Sequence, residues 1–538
     1  MNRIKKILPL MLAMALIITL AGCNGGDSGS PSSDASQSAV SADSSQAQSS
    51  PTDAPSDELK DLIVATGTDA STLDPHLCTD SATEVINKNI YQNLVRYTAE
   101  MEIVPELATE WTTSEDGKTW RFTLRDDLKF HDGTDFNAEA VKINFERILA
   151  EETASPRRSV FAMIESVTVV DPTHVDILTS YPCGSFLQQL CHPAGGMISP
   201  AAIETHGIEN LGQNPCGTGP LMLKEWTPGE KLVFDIFQDY YAGAPKVKSV
   251  TMNIVPDSST RAMLIESGQC DVALRLPVTE IERLRGDANL TVTEGSTVMT
   301  MYIALNNTKG ALQDPNVRRA LNLAVDIDSI VKNVVSNFSE AADSVISKHT
   351  WGHASIGAYP YDPEQAKQLL KDAGHENLEI TLWTPVGRYL MDIQVAEAIQ
   401  AQLADVGVTL NIQQWEFQAL MEEVKKAEFD AVLLGWSPST ADADQGLYPV
   451  FHSTQHPPQS NRALYSNADV DTLLEQAREE VDATKRADLY KQAQQIIMDD
   501  AAWLLLYYPN QALVTTKDVS GIELIPTEHM LFANVEKK

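Results

Sequence analysis

Over Thr119 to Leu124, apolar Trp120, Phe122 and Leu124 alternate with polar neighbours, a period of two that predicts a strand buried on one side. Asp61 to Thr66, Leu232 to Phe237, Ser249 to Val255 and Thr300 to Leu305 read as further short strands. Elsewhere a helical spacing takes over. Ala82 to Tyr91 is one such stretch, and Asn137 can cap a helix that carries Val141, Phe145 and Ile148 on one face. Arg261 to Ile265 opens a short helix ending near Gly268, and Pro315 to Val335 keeps helical spacing throughout. His131-Asp132-Gly133 turns the chain before the Asn137-capped helix, and the stretch from that helix to about Lys224 mixes short strands with turns.

The clearest strand–helix–strand unit comes later in the chain. Asp362-Pro363-Glu364-Gln365 carries an N-cap, a proline at the first helical position and a reach-back Gln, and Gly374 closes that helix. Leu378 to Trp383 is then a strand, Val395, Ile399, Leu403 and Val406 recur at helical spacing, and Val408 to Ile412 is the next strand. Phe429 to Leu434 is a continuous apolar run of buried-strand length that stops at Gly435-Trp436. Helices follow after Asn467 and around Ala487 to Met498, and Trp503 to Tyr508 is an apolar strand that returns to the first part of the chain. The pattern predicts an α/β protein of two lobes joined by a few crossing strands, with Asn306-Asn307-Thr308 as one crossing point. Hinged lobes of this kind close around ligands.

Two loops are placed to line such a cleft, because ligands of α/β sheets bind beyond the carboxyl ends of the strands. One is Thr384-Pro385-Val386-Gly387-Arg388-Tyr389, where Arg388 offers a carboxylate two parallel hydrogen bonds. The other runs from Trp436 through Ser439 and Thr440 to Asp442 and Asp444, joining a flat aromatic face to negative charge. The plainer alternatives are a surface salt bridge for Arg388 and a solvated loop whose Trp436 packs on a neighbouring helix.

At 538 residues and 43% hydrophobic content the chain has room for two or three domains with sizeable cores. Its net charge of -34 excludes a nucleic-acid binder that works through a basic surface. The N-terminus is more telling. Arg3, Lys5 and Lys6 precede an apolar run from Ile7 to Leu20, short for a membrane span and right for a signal peptide. Asn24 to about Asp57 is almost entirely small and polar, a composition that buries no core and reads as a tether. Cys78, Cys183, Cys191, Cys216 and Cys270 make an odd number, so at least one is unpaired; one pair among Cys183, Cys191 and Cys216 is open, and buried thiols are the default. Gly217-Thr218-Gly219-Pro220 lacks the spacing of either phosphate-binding glycine motif.

The ending Leu20-Ala21-Gly22-Cys23 resembles the bacterial lipoprotein box, which implies removal of residues 1–22 and lipidation of Cys23. The body, through Leu73-Asp74-Pro75, Phe130-His131-Asp132-Gly133, Gly217-Thr218-Gly219-Pro220, Val317-Arg318-Arg319-Ala320-Leu321 and Gly435-Trp436, resembles the extracytoplasmic solute-binding proteins of peptide and nickel ABC importers. That resemblance implies a periplasmic-binding-protein-like fold with hinge-connecting strands and an extra subdomain in the first lobe. It places a lipid-anchored tether at 23–57, a first lobe at 58–307 with its subdomain at about 105–227, a second lobe at 308–504, and a return to the first lobe at 505–538. Dipeptide binders of the family use an Asp three residues after the Trp, where this chain has Ser439. The cleft loops look more like those of the glutathione-binding members, which implies Arg388 and Tyr389 for a ligand carboxylate and Asp442 or Asp444 for the ammonium. The expectation is a monomeric, lipid-anchored, extracytoplasmic binding protein with no cofactor, carrying glutathione or a similar short peptide to a permease. Alternatives are other di- or oligopeptides, nickel or haem complexes held through His131, His452 or His456, and an extracellular hydrolase. The last lacks H-E-x-x-H, G-x-S-x-G or any spaced Ser-His-acid set.

Overall fold

The computed structural model describes residues 58–538, so the expected signal peptide, Cys23 and the expected tether lie outside the described residues. The apolar runs read above become one sheet path of parallel and antiparallel strands. Its centre is Trp503–Thr516, a strand of 14 residues in which two apolar stretches flank the less buried Pro509, Asn510 and Gln511. The first stretch pairs with Thr300–Leu305, and the second with Leu290–Ser296 and Val272–Leu274. On the near side the order continues through Ala431–Trp436, Glu379–Pro385 and Thr409–Trp415; on the far side it continues through Asp61–Thr66, Ser249–Ile254, Lys231–Ile236 and Leu221–Thr227. The chain passes between the two halves where Ser296 pairs with Asn510 and Met301 with Tyr507, and Thr297 Oγ1 donates to the Pro509 carbonyl at 2.7 Å. These are the hinge-connecting strands of a two-lobed fold. Asn306 and Asn307, expected as a crossing point, lie inside the second lobe instead. There Asn306 Nδ2 donates to the Phe429 carbonyl at 3.0 Å and Asn307 Nδ2 to the Ala502 carbonyl at 3.1 Å.

Alternation along these strands fills both faces of the second lobe's sheet. Met301, Ile303, Leu305, Leu433 and Leu504 pack on one side, and Tyr302, Ala304, Val432, Leu434 and Leu505 on the other. Each face is covered by helices whose ends follow local chemistry. Asp362 accepts from the Gln365 N–H to start Pro363–Asp372, and Asn467 accepts from the Val470 N–H to start Ala468–Glu479. The helical spacing of 315–335 divides into Pro315–Leu323 and Ile327–Asn333, because Asp326 caps a second start. In the first lobe, Ala108–Thr113, Thr119–Leu124, Ile164–Asp171 and His174–Thr179 form a separate four-stranded antiparallel sheet. The helices Phe186–Leu190 and Pro200–Asn210 occupy a stretch read from sequence as strands and turns.

Leu73-Asp74-Pro75 opens onto a buried charge cluster. Arg147 grips both oxygens of Asp74, at 2.5 and 3.1 Å, and its Nη1 lies 2.8 Å from His76 Nδ1, which accepts from it. Burial pushes the His76 imidazole down to about 4, with Arg147 adding to the shift and Asp74 opposing it. A protonated His76 would set two donors face to face. The unfolded chain takes up this proton near 6.5, so the stabilisation is complete above that value and is lost as pH falls toward 4. His76→Asn keeps an acceptor and removes the titration. It is expected to lower the slope of stability against pH between 6.5 and 4 by about 1.4 kcal/mol per pH unit, read from urea unfolding. An unchanged slope would mean that His76 is already protonated in the fold.

Candidate functional site

Glu379–Pro385 runs parallel to Ala431–Trp436, so the loops that follow both strands leave the same edge of the sheet. The first loop turns through Gly387, at φ 69°, and is held by the buried carboxylate of Asp392. That carboxylate accepts from the N–H groups of Arg388 at 2.9 Å and Tyr389 at 3.2 Å. Tyr389 packs over Gly435, where a Cβ would meet its ring at 3.0 Å, so the missing side chain lets the ring approach this closely. The Arg388 guanidinium is exposed, 5.2 Å from the Tyr389 ring centre and 4.9 Å from that of Phe417, and it forms no ion pair among the described residues. The aromatic faces orient it without neutralising it.

The second loop is shorter than the sequence implies, because Trp436 is the last residue of its strand, paired with Thr300, and a helix starts at Ala443. Trp436 is half-buried, with Nε1 donating to the Gln445 carbonyl at 2.9 Å, and Ser439 Oγ donates to Gln445 Oε1 at 2.8 Å. Thr440 is buried and its Oγ1 has no hydrogen-bond partner among the described residues. Asp442 does not face an open cleft. It is 0% exposed, caps the helix by accepting from the Asp444 N–H at 2.8 Å, and is gripped by Arg486 at 2.8 and 2.5 Å. Trp351 lies over that guanidinium at 4.4 Å. Asp444 is also buried, 3.0 Å from Arg478 Nε, yet this contact is too poorly aligned to satisfy its Oδ1. Burial raises the Asp444 carboxyl, and Arg478 opposes the shift.

Two acids read as loop charge are therefore the N-cap and first-turn residues of a helix, each facing an arginine from a later helix. Loop composition carries no sign of this pairing. A signal was present elsewhere: Arg486 shares its helix face with Tyr490, Ala493 and Ile497, all buried, and an arginine on an apolar face needs a carboxylate.

The lobes meet at this second loop. Tyr97 Oη donates to the Thr440 carbonyl at 2.7 Å, and Arg486 Nη1 reaches the Gly184 carbonyl at 3.5 Å. A Cβ on Gly184 would collide with the Glu480 carbonyl and the Arg486 side chain, so glycine permits the approach. Tyr97 lines two spaces. One is an open groove of about 440 Å³ lined by Glu102, Gln188, Lys348, Trp351 and Ala441. The other is an enclosed cavity of about 20 Å³, room for about one water, lined by Lys88, Arg96, Glu106, Cys191, Ser439 and His529. Lys88, Arg96 and Glu106 carry no sequence motif and were not foreseen. A larger concavity of about 650 Å³, between His131 and Trp226, lies within the first lobe and includes none of the predicted cleft-loop residues, although the candidate His131 borders it.

The remaining candidates are dispersed. His131 Nε2 bonds the Gly219 carbonyl at 2.8 Å, His456 Nε2 the Tyr465 carbonyl at 2.9 Å, and buried His452 stacks on Tyr448. Among the described residues no three His, Cys, Asp or Glu side chains are grouped to hold a metal ion. Cys78, Cys183, Cys191, Cys216 and Cys270 are all buried free thiols, so the pairing left open among Cys183, Cys191 and Cys216 does not form.

Comparison with known proteins places this geometry in context. The family profile described as bacterial extracellular solute-binding proteins, family 5, middle, matches residues 102–457. The chain is 34% identical over 485 residues to the glutathione-binding protein GsiB of Escherichia coli (strain K12), covering 89% of this chain and 94% of that one. It superposes on the periplasmic binding protein DppA from Helicobacter pylori in complex with peptide STSA, with a TM-score of 0.74 and 28% identity over 89% and 99% of the two chains. With NikA from Brucella suis in complex with Fe(III)-EDTA the TM-score is 0.81 and the identity 26%, over 89% and 100% of the chains.

Proposed function

This chain belongs to family 5 of the bacterial extracellular solute-binding proteins of ABC importers, and from that premise we propose that it carries glutathione or a similar short zwitterionic peptide to its permease. It is a binding protein and not an enzyme, which sets aside the hydrolase reading. The observation that carries the ligand reading is Arg388, a cation oriented by Tyr389 and Phe417, in no ion pair among the described residues, on the sheet edge that ends in Trp436. Likeness to a glutathione-binding protein over most of both chains supports the same ligand class. In this reading Arg388 and Tyr389 take a carboxylate, and Trp436, Ser439 and Thr440 line the cleft. Asp444, with its unsatisfied Oδ1, takes the ammonium, while Asp442 supports it from behind. In the same reading the lobes part near residues 296–300 and 508–511, which the pairing of Ser296 with Asn510 and of Met301 with Tyr507 supports, instead of at 307 and 504.

The test is calorimetric titration of the purified protein with glutathione and with neutral dipeptides, alongside small-angle scattering. Glutathione is expected to bind more tightly than the dipeptides and to reduce the radius of gyration. A flat titration with every short peptide would overturn the reading.

We also propose that the protein acts as a monomer anchored outside the cytoplasm through a lipidated Cys23. Cys23→Ala is expected to move the protein from the membrane fraction to the soluble fraction with its glutathione affinity intact. Continued membrane retention would show that the anchor is something other than this lipid.

A further inference from the structure

The enclosed cavity between the lobes carries more positive charge than its own acid balances. Its charged lining consists of Lys88, Arg96 and Glu106. Lys88 Nζ donates only to Asn93 Oδ1, at 2.9 Å, and Arg96 Nη1 only to the Tyr97 carbonyl, at 3.1 Å. Neither forms an ion pair among the described residues. Glu106 is 6% exposed and occupied, with Oε2 accepting from the Asn93 N–H at 2.8 Å and Oε1 from Gln92 Nε2 at 3.4 Å. Burial raises its carboxyl, and Lys88 opposes that shift more than any other group. His529, on the same wall, is held neutral by burial, with its imidazole pushed down to about 3. At neutral pH the wall therefore presents two cations against at most one anion. Both cations are part-buried, so water still reaches them, and an anion entering the cavity would meet two donors that no carboxylate neutralises by direct contact.

Resting on the peptide-carrier reading above, we infer that Lys88 and Arg96 form a second carboxylate subsite, so that the preferred ligand is a short peptide with two carboxylates. Arg388 serves one carboxylate from the second lobe, and the Lys88–Arg96 wall serves the other from the first. Ser439, whose Oγ already donates to Gln445, faces the same cavity from the second lobe. Its hydroxyl lone pairs are left to accept from a ligand N–H beside the bound carboxylate. The cavity of about 20 Å³ is too small for such a ligand until the lobes part. Tyr97, which donates to the Thr440 carbonyl across the lobes, also lines the groove of about 440 Å³, a volume in the size range of ligand pockets, so a ligand on the Lys88–Arg96 wall would extend past Tyr97 into that groove as the lobes part. A lysine near the end of Ser81–Ile90 also complements the helix dipole, a role that requires no ligand.

The probes are glutathione and glutathione amidated at its glycine carboxyl, titrated into the wild type and into Lys88→Gln, Arg96→Gln and Arg388→Ala, each checked for folding by thermal melting. The wild type is expected to prefer the free acid by about tenfold or more. In Lys88→Gln and Arg96→Gln that preference is expected to shrink toward unity, while affinity for the amide stays near the wild-type value. Arg96→Lys, which keeps the charge, is expected to recover part of the preference and covers the case of an unstable Gln variant. Equal wild-type affinity for both probes would overturn the subsite, as would a preference lost in Arg388→Ala but kept in both Gln variants. Binding of neither probe by the wild type would instead overturn the peptide-carrier reading and this inference with it.

Discussion

Arg486→Met is expected to lower the thermal midpoint of the mature protein by roughly 10 °C. Arg486 is 1% exposed and Asp442 0%, and the two share two charge-assisted hydrogen bonds. Removing the guanidinium leaves a carboxylate sealed from water, and breaking a buried pair in this way costs about 3–5 kcal/mol. Trp351 and Tyr490, which lie at 4.4 and 5.0 Å from the guanidinium, would lose a cation–π partner as well. Replacing both members, Asp442→Ala with Arg486→Met, is expected to recover most of the midpoint, because no charge is then stranded. The residual deficit should match a lost helix cap, about 1 kcal/mol. A single variant that melts with the wild type would show that Asp442 reaches solvent and that the lobe does not depend on the pair.

Arg388→Ala is expected to weaken glutathione binding by roughly 30-fold or more while leaving the midpoint of the ligand-free protein unchanged. The asymmetry follows from its surroundings: the guanidinium is exposed and joins no ion pair among the described residues, so its loss strands nothing in the free protein. Once the lobes close and expel water, a bidentate contact with a carboxylate strengthens, and truncating one partner costs on the order of 2–5 kcal/mol. Arg388→Lys should recover only part of the affinity, since an ammonium cannot form the planar fork. Wild-type affinity in the Ala variant, measured by calorimetry, would move the carboxylate site elsewhere on the cleft.

Much of the fold was legible because its signals are local. Thr119–Leu124 and Thr300–Leu305 have the bounds that alternation and apolar run length predict, and Asp362 and Asn137 cap the helices they announce. The local readings failed where two readings share one pattern. Helical spacing over 315–335 cannot reveal that Asp326 restarts the helix, and the acidic stretch after Trp436 looks the same whether it is a solvated loop or a helix start.

The sequence by itself determined the α/β class, the binding-protein family and the strand ends on which Arg388 and Trp436 sit, since periodicity, capping and motif are properties of neighbouring residues. Only the tertiary structure decided the charge partners, because those pairs lie far apart along the chain. Asp442 meets Arg486 and Asp444 meets Arg478 across helices. Lys88 and Arg96 meet Ser439 only when the two lobes come together. Whether a charged side chain is free to bind depends on which distant partner burial brings to it, and that is settled by packing.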